Sequence, residues 1–225
     1  MNVGILGGTG PAGKALAARL GSVGVDVVVG SRSAERGDDV ASELRAKWPN
    51  RGLRVRGGSN EEACGADLVV VATPWDGAGA TVAGLSHLLH RKVVVSMANA
   101  LSKVGRDIEA VVPARGSVSV AVQQAAPGAL VAGAFHHLPA RGMADLDNPL
   151  DADVLICSDH AEAITATIDL VNKIPGCRGI EAGTLSAAAA IEAFTAVLIG
   201  VNMRQHAHAS IRLTGLRETE VTPEP

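Results

Sequence analysis

The chain has no tyrosine and only two phenylalanines and two tryptophans in 225 residues. Single-stranded nucleic acid is bound by stacking its bases on aromatic side chains, and this composition argues against such a platform. Charge is also scarce: charged residues make up 19% and the net charge is −3. With no basic stripe, nucleic acid is not an expected partner. Cys64, Cys157 and Cys177 lie far apart and form no C-x-x-C pair. A reduced, cytoplasmic setting is expected. The N-terminus lacks a basic n-region, so it does not read as a signal peptide. The longest apolar stretch, 118–135, is interrupted by Gln123, Gln124, Pro127 and Gly128, so no membrane span is expected there. G-x-S-x-G is absent, which leaves nucleophilic hydrolysis unsupported. Asp151, Asp153 and Asp159 flank a strand and read as caps and turn residues, not as paired acids. No metal is expected either. His136 and His137 are neighbours after a strand and should diverge, as should His206 and His208 at i and i+2 on a helix.

What the chain does have is small and aliphatic residues. Apolar residues reach 47%, mostly Ala, Val and Leu, enough for one large α/β domain or one domain with a helical appendage. A short apolar strand, 2–6, runs into Gly8-Thr9-Gly10-Pro11-Ala12-Gly13, which fits G-x-G-x-x-G, and then into a helix. Small residues let the backbone turn tightly and approach a pyrophosphate. The helix start offers N–H groups and a positive dipole end to it. The strand before and the helix after give the motif its meaning. An NAD-type unit places Asp or Glu at the end of the second strand, roughly 20 residues past the glycines, to bond the ribose 2′-hydroxyl. That place here reads Gly30-Ser31-Arg32-Ser33, with Arg36 one helical turn on. Ser31 can hydrogen-bond a 2′-phosphate, and the Arg32 guanidinium suits its geometry. The pattern points to NADP(H) over NAD(H). The alternative is that Arg32 and Arg36 are ordinary solvated helix-start residues.

The first 100 residues alternate strand and helix. Strands are expected over 2–6, 25–29, 53–56, 67–72 and 93–96, and their apolar character suits a parallel sheet buried on both faces. Ala12, Leu16, Ala17 and Leu20 form one helical stripe, and Val40, Leu44 and Trp48 another. The pattern is that of a Rossmann-like, doubly wound, mainly parallel α/β sheet with right-handed crossovers. Residues 97–116 read as a loop and 117–126 as a helix. Strands follow over 130–135 and 154–157, with a long loop between them. Residues 161–172 read as a helix capped by Ser158 or Asp159, and 184–210 as a long apolar helix. Ile191, Phe194, Leu198 and Val201 make a seam along it, for the core or for a two-fold partner. The tail from 217 is polar and expected to fray. Ligands of open parallel sheets bind beyond the carboxyl ends of the strands. Thr73 and Pro74 should therefore border the cofactor, and they can also be a plain strand-to-helix turn with Pro74 as the first helical residue. Ala98 and Asn99, after the fifth strand, should approach the nicotinamide side or else cap a loop.

Five segments, GILGGTGPAGKALAARL, VVVGSRSAERG, VVVATPWDGA, AFHHLPA and GIEAGTLSAAAAIEAFTAVLIGVNMR, together resemble the F420H2:NADP+ oxidoreductases, also called NADPH-dependent F420 reductases. They cover nearly the whole chain in the expected order, and GGTG followed by VVGSR is the more specific pair. The resemblance implies hydride exchange between NADP(H) and the deazaflavin coenzyme F420, commonly in a homodimer. It implies an NADP(H)-binding Rossmann domain over 1–135, and a smaller portion over 136–216 that completes the F420 pocket and the dimer contact. Gly8, Thr9, Gly10, Pro11, Ala12, Ser31, Arg32, Arg36, Thr73, Pro74, Ala98 and Asn99 then fall to the dinucleotide, with Ala140 near the nicotinamide. His136, Leu138 and Thr195 fall to F420. His136 can instead be a hydrogen-bonded structural histidine, and Thr195 can back-bond its own helix. No catalytic side chain is implied, because two rings held within about 3–3.5 Å exchange a hydride by positioning and dry packing. Two rival functions stay open at this point. An NADPH-dependent imine, carbonyl or ferric reductase is one; reduction of an imine or carbonyl would want a proton donor, and His136 is the candidate. A non-catalytic NADP(H)-sensing module is the other, and it would need no second ring pocket.

Overall fold

Alternation along the apolar runs decides the architecture. In β1 (Asn2–Leu6), Val3 and Ile5 pack into one core and Leu6 into a second, on the opposite face. The computed structural model describes residues 1–216; the tail from 217, expected to fray, lies outside the described residues. After β1 come α1 (Pro11–Ser22), β2 (Asp26–Ser31), α2 (Ala34–Lys47), β3 (Val55–Ser59), α3 (Asn60–Cys64), β4 (Leu68–Val71), α4 (Trp75–Leu85) and β5 (Val93–Ser96). A hairpin follows, β6 (Leu101–Val104) and β7 (Asp107–Ala110). Then come α5 (Val118–Ala125), β8 (Leu130–Gly133), α6 (Ala140–Ala144), β9 (Ala152–Ser158), α7 (Ala161–Val171), β10 (Cys177–Glu181) and α8 (Ala188–Gln205). Val27, Val29, Leu68, Val70, Val93 and Val95 join the first core, while Val28, Val69, Val71 and Val94 join the second. Strands apolar on both sides need cover on both sides, which the helices supply.

The main sheet has eight strands in the order β10-β9-β8-β5-β4-β1-β2-β3. Every neighbouring pair is parallel except β8 and β9. This is the expected Rossmann-like, mainly parallel fold. β9 and β10 lie beyond residue 135 and extend the same sheet.

Several local expectations change. Residues 97–116 are not a plain loop: β6 and β7 pair antiparallel through a two-residue turn at Gly105 (φ 60) and Arg106. Their side chains are mostly exposed, so no apolar alternation marked them. β3 runs over 55–59, beyond the expected 53–56, because Gly57 and Gly58 carry no hydrophobic signal. Their smallness serves packing: a Cβ on Gly57 would lie 2.1 Å from the Asp38 amide nitrogen of α2. α4 starts at Trp75, so Pro74 is its N-cap residue and not its first helical residue. α7 is capped by neither Ser158 nor Asp159; its N-cap is His160, and Asp159 accepts instead from the Leu185 amide (3.1 Å). The long helix ends at Gln205, short of 210, where His206 turns left-handed (φ 50). Leu185–Gln205 is apolar enough, at mean hydropathy 1.6, to cross a bilayer by length and composition, yet Ala188, Ile191, Thr195 and Leu198 are buried in the protein.

Candidate functional site

The glycine loop is braced by β2, by α3 and by the turn after β4. Gly8 N–H donates to the Gly30 carbonyl at 2.9 Å, tying the loop to β2. Asn60, at the head of α3, accepts from the Gly7 amide through Oδ1 at 3.3 Å. Thr73, just past β4, packs so tightly on the loop that a Cβ at Gly7 would stand 2.7 Å from its methyl group. Gly10 is the N-cap of α1 and Pro11 follows it. The Lys14 amide makes the first helical bond, to the Gly10 carbonyl (2.8 Å). The amides of Ala12 and Gly13 therefore stand at the open helix start, where an anion is favoured. A Cβ at Gly13 would fall 2.8 Å from the Gly8 Cα, but one at Gly10 would meet nothing nearer than the Gly7 carbonyl at 3.7 Å. The fold itself does not need Gly10 to be small, so space is left open above the helix. The Thr73 hydroxyl is buried without a hydrogen-bond partner among the described residues. Both features fit a dinucleotide phosphate cradle.

At the end of β2, Ser31 is buried while Arg32 and Arg36 are exposed. Among the described residues neither guanidinium has a hydrogen-bond or ion-pair partner. Arg32 stands where an NAD-type site would hold a carboxylate, and Arg36 follows one helical turn on, in α2.

Beside the loop lies a cavity of about 680 Å³, lined by Ala12, Met97, Asn99, Leu101, residues 135–141, the α8 residues Thr195, Leu198, Ile199, Asn202 and Met203, and residues 206–208. That volume lies within the usual range of small-molecule sites. No carboxylate lines it among the described residues. The structure thus brings Ala12, Asn99, His136, Leu138, Ala140 and Thr195 to one cavity. Ala98 is elsewhere, buried in the second core. His206 and His208 are not on a helix. They belong to a strap that turns back after α8 and fastens to β9, where the Asp153 amide donates to the Ile211 carbonyl (2.8 Å). Buried Asp153 in turn accepts from Arg178 and Arg212, both at 2.8 Å, and the Arg178 hydrogen bonds hold it well below the usual carboxylate range.

The two adjacent histidines part company, but neither ring reaches solvent. His137 donates from Nε2 to the Asp153 carbonyl (2.8 Å). The His136 ring is fully buried, 3.4 Å from the Ser119 hydroxyl and 3.7 Å from Glu192. Burial pushes His136 down to about 3, so its ring is neutral. Its main-chain carbonyl, by contrast, accepts from Asn99 Nδ2 (2.8 Å) and from the Thr195 hydroxyl (3.2 Å). Thr195 therefore bonds across the cavity wall and not back into its helix. Asn60, Ser119 and Glu192 were not foreseen. Ser59-x-x-Glu62 was a readable sign for the first, since it forms a capping box at the head of α3. Nothing local marked the other two, because their partners are distant in sequence.

A family model described as NADP oxidoreductase, coenzyme F420-dependent, matches residues 2–100. The chain is similar to an F420-dependent NADP reductase of Methanocaldococcus jannaschii, at 34% identity over 96% of this chain and 99% of that one. A protein of the same name from Methanothermobacter thermautotrophicus is 33% identical over 98% of this chain and 97% of its own. Among solved structures, an Arthrobacter sp. FB24 protein, provisionally assigned as an F420-dependent NADP-reductase, superposes with a TM-score of 0.78 at 23% identity, covering 93% of this chain and 97% of that one. Plasmodium falciparum pyrroline carboxylate reductase with NADP bound shares the fold at a TM-score of 0.56 and 15% identity, covering 91% and 67%.

Proposed function

The chain belongs to the family of F420-dependent NADP reductases, and from that premise we propose that it transfers a hydride between NADP(H) and the deazaflavin coenzyme F420. One observation carries the reading: Ala12 belongs both to the helix start that suits a pyrophosphate and to the wall of the cavity. A dinucleotide on α1 and a second flat ring in the cavity would therefore be neighbours. In this reading Gly8, Thr9, Gly10, Pro11 and Ala12 hold the pyrophosphate, and Ser31, Arg32 and Arg36 the 2′-phosphate. Thr73, Pro74, Asn99 and Ala140 border the nicotinamide, while Leu138, Thr195 and the main chain of His136 border the deazaflavin. Residues 1–135 then form the NADP(H)-binding part and 136–216 complete the second pocket.

The hydride chemistry is supplied by the two coenzymes, through nicotinamide C4 and deazaflavin C5. The protein binds, orients and excludes water. The small side chains of Ala12 and Ala140 permit close approach of two rings. The test is to mix the protein with NADPH and F420 and follow deazaflavin absorbance. Deuterated NADPH should pass its label to deazaflavin C5. No turnover, with NADPH binding intact, would overturn the reading. An imine or carbonyl reductase is less well supported, because the candidate donor His136 is buried, neutral and turned toward Ser119 and Glu192.

Arg32→Ala should weaken NADPH about 10–100-fold and leave NADH unchanged, because a charge-assisted contact to the 2′-phosphate is lost. Calorimetry with both dinucleotides checks this, and an equal loss for the two would refute it.

The α8 seam splits between core and surface. Ile191 and Leu198 are buried, while Phe194 and Val201 are 38% and 40% exposed, and Val197, outside the seam, is 57% exposed beside them. Three apolar residues on one outer helical face are suited to a two-fold partner, and a homodimer in a cytoplasmic setting completes the proposal. Light scattering should give a dimer mass for the wild type and a monomer mass for Val197→Asp. A monomeric wild type would sink the homodimer.

A further inference from the structure

α8 holds His136 at both ends. Thr195 donates to its carbonyl, and Glu192, one turn earlier, reaches its ring through Ser119. Glu192 is buried, which raises the cost of its charge. It accepts from the Val118 amide (2.8 Å), the Ser119 amide (3.0 Å) and the Ser119 hydroxyl (2.8 Å) at the start of α5. The serine has one proton, and the carboxylate takes it. Having given its proton to Glu192, Ser119 Oγ can only accept from His136 Nε2, 3.4 Å away. The chain His136, Ser119, Glu192 lies behind the cavity wall, and neither Ser119 nor Glu192 lines the cavity. It anchors a strained turn. Phe135 is left-handed (φ 64), a conformation that a bulky residue keeps only under constraint from its surroundings. Leu138 and Ala140, next along the chain, face the cavity.

We infer that Glu192 and Ser119 are positioning residues for hydride transfer, holding the wall at Leu138–Ala140 in register with the dinucleotide. The inference rests on the hydride-transfer reading above. Its test uses full-length Ser119→Ala and Glu192→Gln with NADPH and F420. The single-turnover hydride-transfer rate at saturating coenzymes should fall about 10–100-fold, since small misplacements of reacting groups cost that much. NADPH affinity should not change. A merely structural role would lower the melting temperature but leave the single-turnover rate of the folded protein alone, and that result overturns the inference. If Glu192→Gln does not fold, Ser119→Ala, which removes one oxygen, decides the matter. Wild-type turnover with unimpaired variants overturns the inference only. A wild type that does not turn over F420 overturns the hydride-transfer reading and the inference with it.

Discussion

A Gly10→Val variant is expected to fold normally and to lose NADPH. Gly10 has φ −76 and ψ 166, a conformation open to any L residue. The nearest atom to an added Cβ is the Gly7 carbonyl oxygen at 3.7 Å, an ordinary contact. The branched side chain would instead occupy the space above the Ala12 and Gly13 amides, which the proposed function gives to the pyrophosphate. Each charge-assisted hydrogen bond lost is worth about 1.5–3 kcal/mol. Two lost together weaken binding more than about 100-fold. Gly13→Val makes the contrast, since its Cβ would collide with Gly8 Cα at 2.8 Å and should break the packing of α1 on β1. Thermal melting and calorimetry on the two variants separate the roles. Unchanged NADPH affinity in Gly10→Val would show that the loop only turns the chain.

Arg19→Ala should be the most destabilising substitution of a charged residue on α1. Arg19 is 3% exposed, although it lies in a helix that reads as ordinary. Its guanidinium donates to the carbonyls of Met143 (3.1 Å), Asn148 (2.9 Å) and Gly142 (2.8 Å), and also to that of Asp145. These carbonyls end α6 and form the turn after it, next to the cavity wall. Removing the side chain leaves a cluster of acceptors without donors and a gap beneath them. A loss of about 3 kcal/mol or more is expected. For a chain of this size that lowers Tm by about 6–12 °C. Arg19→Lys should recover only part of it, because one ammonium cannot reach four carbonyls as a planar fork does. Calorimetric melting measures both. A shift below about 2 °C for the alanine variant would mean that water replaces the guanidinium without cost.

Legibility followed the range of the interaction. The strand, glycine loop and helix of residues 2–22 could be read because their signals are local: an apolar run, small residues at fixed spacing, then a helical stripe. The missing carboxylate at Ser31 and Arg32 was local too. β6 and β7 escaped because exposed strands need no apolar alternation. β10 escaped because it is a partly exposed edge strand, with Ile180 its only large aliphatic residue. Nothing within a few positions of Arg19 or Glu192 announces their burial. Of the two readings open for His136, the buried ring beside Ser119 is that of a structural histidine, while its main chain at the cavity is held by Asn99 and Thr195.

By itself the sequence determined the mainly parallel sheet, the glycine loop at the head of α1 and the carboxylate-free end of β2 at Ser31 and Arg32, because each depends on residues adjacent in the chain. Only the tertiary structure decided which side chains surround the cavity. Its walls come from residues 12, 97, 99, 101 and 135–141, and from positions spread between 195 and 208, which meet through sheet order, the return of the strap to β9 and buried hydrogen bonds such as those of Glu192. Contacts between residues so far apart leave no periodicity to read.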